Sequence, residues 1–200
     1  MNINGDFNYL GDINQKTLND LISVLPDVDW FENTLRQVSF NAHQKTNTIF
    51  LTNTAQTKPW NGIDSLNTRI SNPFLFNLAK PIIEELEKRF DGKVARSMLI
   101  RLPAGEKILP HPDSGHYLMS VHRCHIPVQT NPDVLFTVGS TTINMKVGQG
   151  YEINNSKWHR VENNGTTDRM HLLVDLMPNN YKYLEERGKI HPETFRPPPK

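Results

Sequence analysis

Residues 93–129 read KVARSMLIRLPAGEKILPHPDSGHYLMSVHRCHIPVQ, and with them the texture of the chain changes. KVARSMLIRL (93–102) and HYLMSVHRCHIPVQ (116–129) are short strand-like runs, separated by Pro, Gly and Asp. VLFTVGS (134–140), TINMKV (142–147), GYEI (150–153), WHRVEN (158–163) and RMHLLVDLM (169–177) continue the pattern. Many short strands at roughly 8–12-residue spacing, punctuated by turn residues, predict a sandwich or jelly roll.

Working back from residue 93, the chain is more helical. INQKTLNDLISVLPDVDW (13–30) places Leu18, Leu21, Ile22 and Leu25 at helical spacing before a break at Pro26. NTIFLTN (47–53) reads as a short strand. SNPFLFNLAKPIIEELEKRF (71–90) predicts a helix capped by Ser71 or Asn72, with Pro73 in its first turn. Its internal Pro81 predicts a kink or two helices. The expected organisation is one structural domain, mainly β with flanking helices. Residues 1–92 form an α-rich support with short strands, packed on the core; residues 93–178 form the β core; residues 179–200 carry a helix and a Pro-rich tail.

Charge and cysteine content narrow the function classes. Lysine and arginine number 22 against 21 acidic residues, a balance that argues against a dedicated nucleic-acid binder. The single cysteine, Cys124, allows no disulfide framework, which suits a reducing, cytoplasmic setting. MNINGDFNYLGDINQ has neither the basic region nor the apolar core of a signal peptide. No apolar run approaches the ~20 residues of a membrane span.

Four histidines crowd residues 111–125: His111, His116, His122 and His125. In HPD (111–113), His111 and Asp113 stand at i and i+2, which on an extended segment project to one face. Alone, the tripeptide reads first as a turn, since Pro and Asp are ordinary turn residues. The downstream block NNSKWHRVENNGTTDRMHLLVDL (154–176) favours a metal site, because it offers His159 as a third ligand. Two histidines and one carboxylate on one face of an ion leave positions open, the arrangement of non-haem Fe(II) oxygenases. Arg169 lies ten residues beyond His159 and across an apparent hairpin turn, so the two are expected on adjacent strands. An arginine fork beside an open metal site suits a dicarboxylate co-substrate. Without that fork, a cupin-like metalloenzyme or a metal- or ligand-binding module would serve equally well.

The blocks RLPAGEKILPHPD, VHRCHIPV, GQGYEINNSKWHRVENNG and DRMHLLVDL, in this order over residues 95–176, resemble the aspartyl/asparaginyl β-hydroxylase family of Fe(II)/2-oxoglutarate-dependent dioxygenases. The resemblance implies a double-stranded β-helix, a cupin-like jelly roll. It implies iron ligands at His111, Asp113 and His159, and Arg169 on the distal carboxylate of 2-oxoglutarate. The family's Arg–X–His pair facing the co-substrate matches Arg123 and His125. Fe(II), 2-oxoglutarate and O2 are the implied cofactor and co-substrates, and hydroxylation with release of succinate and CO2 the implied reaction. Some members lack the carboxylate ligand, and this sequence keeps it, so the substrate of those members does not transfer.

Strand alternation places His122 and Cys124 opposite Arg123 and His125. His171 reads as a core histidine, His116 as a loop residue, Asn155 as the holder of a turn and Trp158 as core. Arg101 reads either as a surface charge or as a residue at the mouth that binds a substrate carboxylate. With no helical-repeat domain to capture a protein, a small molecule or peptide is the expected partner.

Overall fold

The computed structural model describes residues 3–31, 35–56 and 66–180. The predicted C-terminal helix and Pro-rich tail fall on residues 181–200 and lie outside the described residues. Two antiparallel sheets face each other, and helices cover the outer face of the larger one.

The larger sheet has seven strands: β1 (Phe7–Asp12), β9 (Gln149–Ile153), β6 (His122–Gln129), β11 (Arg169–Pro178), β4 (Gly92–Leu102), β2 (Asn47–Gln56) and β3 (Leu66–Ile70), in that spatial order. The smaller has four: β5 (Lys107–His111), β10 (His159–Asn163), β7 (Val134–Val138) and β8 (Thr141–Ile143). This is the jelly-roll architecture expected from the strand spacing. The change of texture at residue 93 is not an edge of the fold, because β1, β2 and β3 belong to the same sheet as β4, β6, β9 and β11.

The period-2 pattern of each central strand explains how the sheet buries both faces. From β6 and β11, Cys124, Ile126, Leu172, Val174 and Leu176 join the cluster that includes residues of α1 (Gln15–Val24) and α3 (Pro73–Arg89). The alternate residues, Arg123, His125, Arg169, His171, Leu173 and Asp175, fall on the opposite face, toward the small sheet. There Ile108, Val134, Phe136, Val138 and Val161 meet Leu102, Tyr151 and Ile153 in a second core.

Both long helices carry an asparagine N-cap, and in α3 it is Asn72, one of the two candidates. Asn14 accepts from the Thr17 amide at 3.0 Å and Asn72 from the Leu75 amide at 3.0 Å. In α3, Leu75, Ala79, Ile82, Ile83 and Leu86 form the buried stripe. Pro81 does not divide the segment into two helices, one of the two outcomes expected of it. It lies on the exposed side, as does Asn77, whose carbonyl loses its amide partner to the proline and is open to solvent.

Two further readings are corrected. HYLMSVHRCHIPVQ is not one strand: residues His116–Ser120 form a short helix, α4, before β6 begins. In TINMKV only Thr142 and Ile143 lie in a strand. The remaining helix, α2 (Leu35–Ser39), leads into a turn at Asn41–His43 that packs against β5. Among the described residues, no helix is long and apolar enough to cross a membrane.

Candidate metal centre

His111 ends β5 and His159 begins β10, and the two are paired residues of neighbouring strands. Asp113 follows two residues after His111, where its amide donates to the Asn155 carbonyl at 2.9 Å. Asn155 in turn donates its side-chain amide to the Leu118 carbonyl at 2.7 Å, tying the turn before β10 to α4. One nitrogen from each histidine and one carboxylate oxygen of Asp113 lie within 4.8 Å of one another.

The imidazoles are oriented by backbone carbonyls. His111 Nδ1 is 2.7 Å from the Leu109 carbonyl and His159 Nδ1 is 2.9 Å from the Lys157 carbonyl. A carbonyl only accepts, so each Nδ1 carries the proton and each Nε2 presents its lone pair, as a metal ligand requires. Burial lowers His159 to about 4, against the pull of Asp113, so its ring is neutral at physiological pH. Burial would raise the Asp113 carboxyl, but Arg123, His159 and His111 outweigh it and hold the group below its ordinary value. Two imidazoles and one carboxylate are the donor set of a divalent iron site.

Arg123 is clamped between two carboxylates. Its Nη1 contacts Asp113 Oδ2, while Nε and Nη2 donate to Asp175 Oδ1 and Oδ2 at 2.8 and 2.9 Å. Burial favours the neutral guanidine, but both aspartates more than reverse this and raise its pKa. Asp175 Oδ2 also accepts from Arg96 Nε and Nη2 at 3.1 and 2.8 Å, and from the Tyr117 hydroxyl at 3.2 Å.

Behind the histidine–aspartate cluster lies an inner cleft lined by residues including His125, Phe136, His159, Arg169 and Leu173. Arg169 is only 1% exposed and has no carboxylate partner among the described residues. Its Nη2 donates to His171 Nδ1 at 2.7 Å, and its guanidinium lies 5.6 Å from the centre of the Phe136 ring. Burial pulls Arg169 well below the ordinary arginine value, to about 9. Both ring nitrogens of His125, Nε of Arg169 and Nε2 of His171 are buried without hydrogen-bond partners among the described residues. Burial, with Arg169 adding to it, lowers His125 and His171 well below the usual histidine value. A neutral, polar wall with one unpaired cation is suited to hold an anion.

In front of the cluster is a larger chamber of about 580 Å³, lined by Phe40, Asn41, His43, Arg96, Leu118 and Arg123 among others. The His43 ring packs edge-on to His111, their centres 4.8 Å apart.

His159 and Arg169 share the inner cleft, though not as strand neighbours. β10 belongs to the small sheet and β11 to the large one, so the intervening turn crosses between sheets. Asn163 makes that corner: its buried side-chain amide donates to the carbonyls of Leu102, Pro103 and Thr167. His122 and Cys124 face away from the cleft, with His122 Nδ1 2.6 Å from Glu152 and Cys124 in the helix-side core. Trp158 is half-buried at the turn rather than in the core. Arg101 does not face the mouth. It shares a strand face with Leu99, pairs with Asp168 at 2.6 Å and lies 5.9 Å from the centre of the Trp30 ring. Asp175, Arg96 and Tyr117 were not anticipated. The available signal was an aspartate inside the apolar run MHLLVDL, since a charge buried there requires partners.

Comparison with known proteins gives a consistent picture. The family model described as Aspartyl/Asparaginyl beta-hydroxylase matches residues 77–178. Among curated proteins, none matches by sequence. The fold resembles an oxidoreductase of the 2OG-Fe(II) oxygenase family from Burkholderia pseudomallei (TM-score 0.53, 10% identity, 82% of this chain and 92% of that one). It also resembles the viral collagen prolyl hydroxylase of Paramecium Bursaria Chlorella virus-1, solved with 2OG (TM-score 0.56, 6% identity, 87% and 96%). A third is a Trichoplax adhaerens prolyl hydroxylase in complex with a hypoxia inducible factor peptide (TM-score 0.57, 10% identity, 86% and 83%). At these identities the likeness is one of fold.

Proposed function

Because the chain belongs to the aspartyl/asparaginyl β-hydroxylase family and is a 2-oxoglutarate-dependent hydroxylase, we propose that it hydroxylates an unactivated C–H bond of an amino acid, a peptide or another small substrate, with release of succinate and CO2. His111, Asp113 and His159 hold Fe(II), and Arg169 holds the distal carboxylate of 2-oxoglutarate. The observation that carries this reading is Arg169 itself, a buried guanidinium with no anion among the described residues, opening onto the same cleft as His111 and His159. A cupin-like metalloenzyme with no dicarboxylate co-substrate has no use for such a charge.

With iron and 2-oxoglutarate bound, O2 would supply the oxidising power, 2-oxoglutarate two of the electrons that O2 takes and the substrate C–H the other two, and no side chain acts as a general base. The protein's own residues bind and orient. His111 and His159 direct Nε2 at the ion, and Asp113 offsets part of its charge. Arg169, turned by His171, meets the distal carboxylate with its fork. Arg123 and His125 line the cleft, with Arg123 holding Asp113 from behind.

The test is a succinate-release screen against free amino acids, short peptides and cell extract, with mass spectrometry seeking the gain of one oxygen. His111→Ala and His159→Ala should each abolish calorimetric Mn(II) binding and turnover. Unchanged metal affinity in both would overturn the ligand assignment.

A further inference from the structure

The front chamber contains a cation that the proposed reaction leaves unused. Arg96 lies on β4 opposite Asp175 of β11, on the face that carries Met98 and Ile100 toward the small sheet. Its side chain is 23% exposed and lines the chamber. Nε and Nη2 both donate to the single oxygen Asp175 Oδ2, and the guanidinium lies 5.0 Å from the centre of the Tyr117 ring. Nη1 makes no hydrogen bond among the described residues, so one edge of the fork remains open toward the chamber.

The charges around the two spaces do not cancel. Arg96, Arg123 and Arg169 stand against Asp113 and Asp175, with the buried histidines neutral. A divalent ion and a doubly charged 2-oxoglutarate offset each other. One positive charge is left over, and the part of it that faces the front chamber is the open edge of Arg96. Ser39, Phe40, Asn41, Ala42, Pro112 and Leu118 bring no further charge to that chamber. Phe40, 57% exposed, and Leu118 give it an apolar wall.

We propose that the substrate is a small carboxylic acid whose carboxylate binds the open edge of Arg96, with its aliphatic part against Phe40 and Leu118 and its reacting carbon toward the metal centre. A planar carboxylate suits a guanidinium edge better than a point charge does. The inference rests on the hydroxylase reading above, and it moves the carboxylate-binding role from Arg101, which faces the helices, to Arg96.

The experiment is calorimetric titration of the full chain, loaded with Mn(II) and 2-oxoglutarate, with free amino acids and short aliphatic acids and, in parallel, their primary amides. At least one acid should bind, and its amide should bind about tenfold more weakly or worse. In Arg96→Gln the acid should lose roughly ten- to a hundredfold in affinity, and the difference between acid and amide should vanish. Arg96→Lys should recover part of the loss. The comparison of acid with amide in the natural sequence needs no variant, so a poorly folded Arg96→Gln leaves the test intact. Equal binding of acid and amide, no binding by any acid, or unchanged affinity in a folded Arg96→Gln would each overturn the assignment. The hydroxylase reading fails separately, through an absence of 2-oxoglutarate binding to the Mn(II)-loaded chain.

Discussion

Replacing Arg169 by methionine should stabilise the ligand-free protein while removing its use of 2-oxoglutarate. Arg169 is buried, and burial brings its pKa down to about 9. At ~1.36 kcal/mol for each pH unit, keeping that charge costs the folded state roughly 5 kcal/mol. Methionine removes the penalty. It also removes the bond to His171, worth about 1.5–3 kcal/mol, and the contact with Phe136, worth about 0.5–1 kcal/mol. The balance is a gain of roughly 1–3 kcal/mol, in the range found when apolar side chains replace buried ionic ones. The sign with pH is definite. The unfolded chain holds this proton more tightly than the folded one, so the penalty is complete below about 9 and is relieved only as pH rises from there toward the ordinary arginine value. Urea unfolding near neutral pH therefore measures it in full. With Mn(II) present throughout, adding 2-oxoglutarate at a hundred times its Kd should raise the natural chain by a further ~2.7 kcal/mol and the variant hardly at all. A methionine variant less stable than the natural chain by about 1 kcal/mol or more, outside the error of such extrapolations, would refute the claim that Arg169 is held at a cost.

Asp175→Asn should destabilise the chain by about 3–5 kcal/mol, because the guanidinia of Arg96 and Arg123 share that carboxylate and one buried charge loses its partner; an unchanged urea midpoint would contradict the network. Leu172→Ala should cost about 2–5 kcal/mol through a cavity on the helix side of the sheet. Mn(II) affinity should not change in that variant, since β11 turns its other face to the site; calorimetry checks this.

The sequence carried the strand pattern of residues 93–178 well because both faces of these strands obey period 2. The HPD motif and His159 were legible as a candidate set for the same reason: few residue types serve as metal donors, and their order is preserved along the strands. Pairing was less legible. Nothing in VENNGTTD distinguishes a hairpin from a corner between sheets; the choice is made by Asn163, whose side chain joins the Leu102 and Pro103 carbonyls, about 60 residues away, to that of Thr167. Pro81 was misread because its effect depends on whether the freed carbonyl reaches water. β1 and β3 escaped notice since FNYLGD and LNTRI are short, polar and mostly exposed. Arg101 and Arg96 are the same residue type five positions apart, and a register irregularity between β4 and β11 lies near Arg96; the face each presents is fixed by pairing.

The turn from Asn154 to Trp158, which delivers His159, is fastened by the opposite end of the chain. Asn154 donates to the carbonyls of Ile3 and Gly5, and Lys157 pairs with Asp6 at 2.7 Å, contacts spanning up to 151 residues. Closing loops of that length is slow compared with local pairing. Helix α3 and the β4–β11–β6 ladder can assemble first, and the metal centre is completed only when β1 seats against β9. The expected order is that iron enters an almost finished protein and is not a nucleus for its folding. In refolding experiments Mn(II) capture should lag behind the recovery of secondary structure, and simultaneous recovery of the two would contradict that order.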